Sequence, residues 1–246
     1  MERPLSPGLF TGLLRWPRDC IVCGCAADDA LSLCSICREQ LPWAGATCYR
    51  CALPLFTDGP ALPSCGACAT NPPPLDHCAA VFRYETPIQQ LISTFKFHGG
   101  LAEGRVLGHL LAASMAKHYS GCREHCLLLP VPLHSKRLRQ RGFNQAALLA
   151  RITGRILAMP LSLTMVRRNL DTPSQALLDA RQRRQNLRGA FEMLENLQQG
   201  NPERIIIIDD VMTTLSTVSA LAGTLRDAGV KHIDAWALAR AYKVPS

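Results

Sequence analysis

The chain has 246 residues, 48% hydrophobic and 19% charged, a balance that supports a buried core and excludes long disordered or fibrous classes. No apolar run reaches the ~20 residues that span a bilayer, and the N-terminus lacks an apolar core behind a basic start. A cytoplasmic protein without membrane insertion or signal peptide is therefore expected. The formal charge is +8, yet residues 1–80 carry five Lys/Arg against seven Asp/Glu while residues 81–246 carry twenty-two against twelve, so a polyanion would meet the second part.

Twelve cysteines, ten of them before residue 80, argue for metal ligation over disulfides in a reducing compartment. Four CxxC pairs follow in order: Cys20/Cys23, Cys34/Cys37, Cys48/Cys51 and Cys65/Cys68. Two thiolates at this spacing turn inward on one knuckle, and two knuckles complete a tetrahedral four-cysteine zinc site. The intervals of ten residues (Cys23 to Cys34) and thirteen (Cys51 to Cys65) favour sequential pairing into two short ribbons. Interleaved pairing requires longer loop closures. Ordinary buried cysteines do not generate four identical spacings. Four thiolates leave no open position, so two structural Zn2+ ions are expected, replacing a core in a segment poor in large apolar side chains. Cys25, Cys78, Cys122 and Cys126 lie outside the pattern and read as small apolar residues. Asn71-Pro72-Pro73-Pro74 reads as a stiff connector, which divides the chain into a double zinc-ribbon unit over 1–78 and a second domain over 79–246.

Helix and strand signals then alternate. Thr86-Pro87 opens a helix with Ile88, Leu91, Ile92 and Phe95 on one face, stopped by Gly99-Gly100. A second carries Val106, Leu107, Leu110, Leu111 and Met115. Residues 126–131 read as a strand, 144–157 as a helix, and 161–166 as a strand. A helix over 181–188 and a strand near 190–193 follow. Four consecutive isoleucines make 204–208 the strongest strand, buried on both faces. Residues 215–228 read as a helix and 233–238 as a closing strand. The alternation predicts an α/β domain with a mostly parallel sheet flanked by helices.

The isoleucine strand leads into Asp209-Asp210, and Thr213, Thr214, Ser216 and Thr217 fill the turn that opens the next helix. In open α/β sheets, ligands bind beyond the carboxyl ends of the strands. Backbone N–H groups with hydroxyls hold an anion, and paired carboxylates accept hydrogen bonds from vicinal sugar hydroxyls. Together they describe a site for a ribose 5-phosphate; the alternative is two acids that merely cap the helix. Between Glu124 and Asp171 there is no acid but eight Lys/Arg. Lys136, Arg137, Arg139 and Arg141 form a basic loop after the 126–131 strand, suited to pyrophosphate or a nucleic-acid backbone. A solvated basic face is the alternative, preferred for Arg151 and Arg155.

The stretch Ile205–Thr217 resembles the phosphoribosyl pyrophosphate signature of type I phosphoribosyltransferases. It departs from that signature at Leu215, where the family has a glycine that permits positive φ and close approach to the 5-phosphate. Pro130-Val131-Pro132-Leu133 with Arg141-Gly142-Phe143-Asn144-Gln145, and Thr172-Pro173-Ser174-Gln175 followed by residues 184–191, resemble the ComF family. That resemblance implies a zinc domain joined to a phosphoribosyltransferase-like domain, acting on single-stranded DNA during uptake or utilisation. It implies Asp209/Asp210 toward ribose hydroxyls, the Thr/Ser loop on the 5-phosphate, Arg137/Arg141 toward pyrophosphate, and a flap over 169–188.

Three functions are open at this level. The first is binding of single-stranded DNA and phosphoribosyl pyrophosphate. Aromatics are only 6%, and Phe143 alone lies in the basic segment, so charge would supply most of the DNA affinity. The second is an active transferase using Mg2+ with phosphoribosyl pyrophosphate. The third is an adaptor whose acidic zinc ribbons dock a helicase or channel component.

Overall fold

The computed structural model describes residues 19–27, 31–55, 64–97, 99–171, 189–195 and 202–242. Among these, the Asp19–Ala26 and Thr47–Pro54 antiparallel bridges each pinch a loop around one CxxC knuckle. The residue after each knuckle is left-handed, Gly24 at φ 75° and Ala52 at φ 56°. Its N–H returns to the first cysteine's carbonyl, 2.8 Å in both knuckles (Gly24 to Cys20, Ala52 to Cys48). The second pair of each ribbon is not a knuckle, as the spacing had suggested, but the start of a one-turn helix. Cys34 caps α1 (Ser35–Glu39), its Sγ accepting the Cys37 N–H, and Cys65 immediately precedes α2 (Gly66–Thr70) without a side-chain capping bond. Cys37 and Cys68 lie three places on, so both thiols of a pair share one helix face.

The larger sheet has four parallel strands in the order β1 (His77–Arg83), β6 (His232–Arg240), β5 (Arg204–Met212), β2 (Cys126–Pro130). Helices α3 (Ile88–Phe97), α4 (Leu101–His118) and α6 (Gln145–Leu157) cover one face, and α7 (Ser216–Asp227) the other. The isoleucine run divides between them by its period of two. Ile206 and Ile208 join the α3/α4/α6 cluster, Ile205 and Ile207 the α7 cluster. A doubly covered central strand accounts for four isoleucines without a polar break.

Residues 161–166 do not form the expected strand. One bridge at Leu161 and a short β3 (Val166–Arg168) stand there, the latter paired antiparallel with β4 (Phe191–Met193). Ser162 Oγ accepts the Met165 N–H at 3.1 Å, a local turn that competes with pairing. The expected helix over 181–188 and the Thr172–Gln175 motif lie outside the described residues.

The zinc ribbons cover the edge of β1. Ala44 N–H bonds Val81 O at 3.0 Å, Arg83 N–H bonds Pro42 O at 2.8 Å, and Cys78 N–H bonds Tyr49 O at 2.8 Å. An otherwise open strand edge is satisfied by the N-terminal unit. Among the described residues, no helix is long and apolar enough to cross a membrane.

Candidate zinc centres and ligand crevice

Cys20, Cys23, Cys34 and Cys37 gather in one cluster and Cys48, Cys51, Cys65 and Cys68 in another, each with its sulfurs within 4.8 Å. The Cys23–Cys34 and Cys51–Cys65 Sγ separations are 3.8 and 3.7 Å. A tetrahedron with Zn–S bonds of about 2.3 Å has an edge of about 3.8 Å. Burial disfavours the Cys20 thiolate, but N–H groups of Cys34, Cys23 and Val22 outweigh it and draw that thiol down to about 6. Cys48 is drawn down to about 7 in the same way, burial being overcome by the Cys65 and Arg50 N–H groups. Cys37 is pushed up by burial and by the neighbouring thiols, a crowding that a dication relieves. Both clusters fit structural zinc, paired sequentially. Of the four remaining cysteines, Cys78 and Cys126 are buried as expected, whereas Cys25 is exposed.

A third group, His77, His118 and Asp234, gathers at the amino ends of β1 and β6. It suits a metal poorly. The imidazoles stack at 4.2 Å with 10° between planes, so their in-plane lone pairs cannot meet at one ion. Asp234 is already held by Arg204 Nη1 at 2.8 and 2.9 Å and by Tyr119 OH at 2.8 Å.

The opposite, carboxyl end of the sheet carries the acidic pair. Strand β5 runs on to Met212, so Asp209 and Asp210 lie within the strand and not after it; Asp209 pairs in register with Ala237. Asp210 N–H bonds the Asp209 carboxylate at 2.8 Å, and Lys96 Nζ reaches Asp210 Oδ1 at 2.8 Å from the last turn of α3. Burial and the Asp210 charge raise the Asp209 carboxyl to about 7, against the opposing pull of the Asp210 N–H, Lys96 and Arg168. A further cation or a hydrogen-bond donor from a ligand would favour the ionised form of Asp209.

Beyond Met212 the chain turns through Thr213, Thr214 and Leu215. Leu215 adopts φ 60°, ψ 0°, the left-handed conformation a glycine would take, and its side chain is buried in the α7 cluster. Thr213 and Thr214 are exposed, Thr214 Oγ1 lies 2.7 Å from Ser216 Oγ, and Thr217 follows in the first turn of α7. Arg240, buried at the end of β6, holds this loop from below. Its guanidinium donates to Met212 O at 3.1 Å, to Thr213 O, and to Ala241 O at 2.7 Å. Its Nε donates to Cys51 O at 2.9 Å, so one side chain ties the second zinc knuckle to the loop.

The basic residues stand on a helix, α5 (Ser135–Arg141), and not in a loop. His134 caps it by accepting the Lys136 N–H at 3.4 Å, and Gly142 ends it at φ 79°. Since β2 and β5 are adjacent and parallel, α5 leaves the sheet at the same end as Asp209/Asp210. Arg137 and Lys136 converge on Asp171, at 3.2 and 3.7 Å. Arg139 is exposed. Arg141 turns instead to Gln145 Oε1 at 3.3 Å and lies 5.2 Å over the Phe97 ring.

Lys96, Phe97, Arg168, Asp171 and Arg240 were not anticipated from the sequence. Arg168 shares a strand face with buried Val166, and a charge on an apolar face is a legible signal. Burial and the Arg137 charge lower its pKa, with Asp209 and Asp171 opposing. The others come from elements remote in sequence and carry no local pattern.

A family profile described as a double zinc ribbon domain matches residues 13–69. Competence protein F of Haemophilus influenzae is 35% identical over 211 residues, 85% of this chain and 90% of that one. DNA utilization protein YhgH of Escherichia coli K12 is 34% identical over 210 residues, again 85% and 90%. Competence protein ComFC of Bacillus subtilis is 30% identical over 150 residues, 61% of this chain and 58% of that one. With two four-cysteine centres clamped to a four-stranded parallel sheet and relatives aligned over most of both chains, this protein belongs to the ComF family.

Proposed function

We propose that this protein serves DNA uptake or utilisation by holding single-stranded DNA and a ribose 5-phosphate ligand of the phosphoribosyl pyrophosphate type at the carboxyl end of the sheet. The observation that carries this reading is the meeting of Asp209, Asp210 and Lys96 with the basic helix α5 across adjacent parallel strands. Its relatives are named for competence and DNA utilization, which fits a DNA role.

Asp209 and Asp210 accept from the ribose hydroxyls, and the Thr213–Thr217 loop receives the 5-phosphate at the start of α7. Arg137 and Arg141 face pyrophosphate or the DNA backbone, with Lys136 and Arg139 adding to the field. Two carboxylates beside Lys96 and Arg168 make a donor set of nearly balanced charge, which suits hydroxyls better than a preloaded divalent ion. Mg2+ fits as a companion of the pyrophosphate, whose charge it would offset.

Calorimetric titration of phosphoribosyl pyrophosphate with Mg2+, beside salt-dependent anisotropy of a labelled oligonucleotide, tests both halves. Saturable binding of each, with DNA affinity falling steeply as salt rises, is expected. Flat DNA affinity between low and high salt sinks the DNA half, and the absence of any heat with the ribosyl ligand sinks the other.

A further inference from the structure

Phe97 is the last residue of α3, and 63% of it is exposed. Water contact of this extent is unfavourable for a phenyl ring unless something covers it. Its position is held from three sides. Lys96, the preceding residue, is fixed by its ammonium on Asp210 at 2.8 Å. The Lys96 carbonyl accepts from Nε2 of Gln145, a buried side chain, at 3.4 Å. Gln145 in turn holds Arg141, whose guanidinium carbon sits 5.2 Å from the Phe97 centroid. A flat aromatic surface is thus presented in a set orientation, with a cation against it, next to the acidic pair. Phe143, the aromatic inside the basic segment, is spent internally: it packs on buried Phe95 with centroids 5.7 Å apart.

Resting on the reading that this crevice takes single-stranded DNA, we infer that Phe97 and Arg141 form a stacking platform for one unpaired nucleobase. The base lies on the exposed phenyl face, and Arg141 serves both the ring and the adjoining phosphodiester. A protein partner fits less well, because the surroundings combine a basic helix with a sugar-sized acidic pair, and a strand of DNA supplies phosphate, sugar and aromatic base in that company. Duplex DNA is excluded from this contact, since its bases are already stacked on one another. The affinity then has a component that salt does not screen, beside the charge that composition leads one to expect as its main source.

The test compares the wild-type chain with Phe97→Ala and Phe97→Trp on two labelled strands of equal length, oligothymidylate and its abasic counterpart, at two salt concentrations. Stacking of one base is worth a factor of about 5 to 150 by alanine substitution. Phe97→Ala should weaken oligothymidylate by that factor with an unchanged salt slope, leave the abasic strand unaffected, and be rescued by Phe97→Trp. A thermal midpoint and near-ultraviolet spectrum unchanged from the wild-type chain show that the variants are folded. Equal loss on both strands, or no loss on either, overturns the platform while leaving the DNA reading standing. If the wild-type chain binds neither strand, both fall.

Discussion

Leu215 occupies a left-handed position at φ 60° while burying its side chain among the residues of α7. Two opposing terms meet there. An L-residue in this conformation costs roughly 1–2 kcal/mol, and losing a buried leucine costs roughly 2–5 kcal/mol. Leu215→Gly removes both terms, whereas Leu215→Ala keeps the strain and loses the burial. The alanine variant should therefore be the less stable of the two, by about 1 kcal/mol in urea denaturation. The reverse order would show that the backbone at this site is not strained.

Asp209 makes a second residue-scale prediction. Its carboxyl, raised to about 7 by burial and by Asp210, is neutral in the folded chain at pH values where the unfolded chain has already ionised. Lys96 and Arg168 face it and fall short of compensating. A raised folded pKa contributes stability that is present below the unfolded value, about 3.8, and is lost as pH rises through 7. Asp209→Asn should raise the thermal midpoint at pH 8 by about 2–8 °C, and the gain should vanish near pH 4. An equal gain at both values would assign the effect to packing.

At the scale of elements, α5 shows how a sequence can be read two ways. Its run of Lys, Arg, Leu and Gln favours a helix, with His134 and Gly142 at its ends, yet its charge reads as a solvated loop. Helix formation places Lys136 and Arg137 together on Asp171, at 3.7 and 3.2 Å. That acid occupies the cations an incoming phosphate would need. Asp171→Asn should tighten single-stranded DNA binding by roughly 3- to 10-fold at low salt, a gain that added salt erases. An unchanged affinity would place the DNA backbone elsewhere on the molecule.

Arg240 acts between elements. Burial lowers its pKa, while the thiols of Cys78, Cys51, Cys68 and Cys48 oppose the shift. Arg240→Met leaves the carbonyls of Cys51, Met212 and Thr213 without this donor. A loss of roughly 2–5 kcal/mol is expected, since each buried acceptor left unsatisfied costs about 1–3 kcal/mol, with both zincs retained by metal analysis. Loss of one zinc would instead make Arg240 part of the metal site.

For the whole molecule, the zinc ribbons and the α/β sheet share their interior. Cys34 and Cys37 belong to the same apolar cluster as Ile206 and Phe95, on one face, and Cys48 and Cys51 to that of Ile207 and Leu221 on the other. The ribbons thus straddle the β1 edge, one centre serving each layer. Removing zinc with a strong chelator should lower the melting temperature of the entire chain in one transition. Two separate transitions, with the sheet melting as before, would show that the ribbons are an independent module.

Much of this was legible in the residues. Four identical CxxC spacings specify two four-cysteine centres, because ligand geometry is local. Four isoleucines specify a strand covered on both faces, because side chains alternate along it. The apolar stripes of α3 and α4 likewise require no distant information. What only the tertiary structure decided is which remote residues meet: Lys96 with Asp210, Arg141 with Phe97, Arg240 with Cys51, and Asp171 with α5. These pairs join elements that are far apart in sequence, and a single polar or aromatic residue there has no period to reveal its partner. Periodic burial is encoded within each segment; the site arises where parallel strands release their following segments at one end of the sheet.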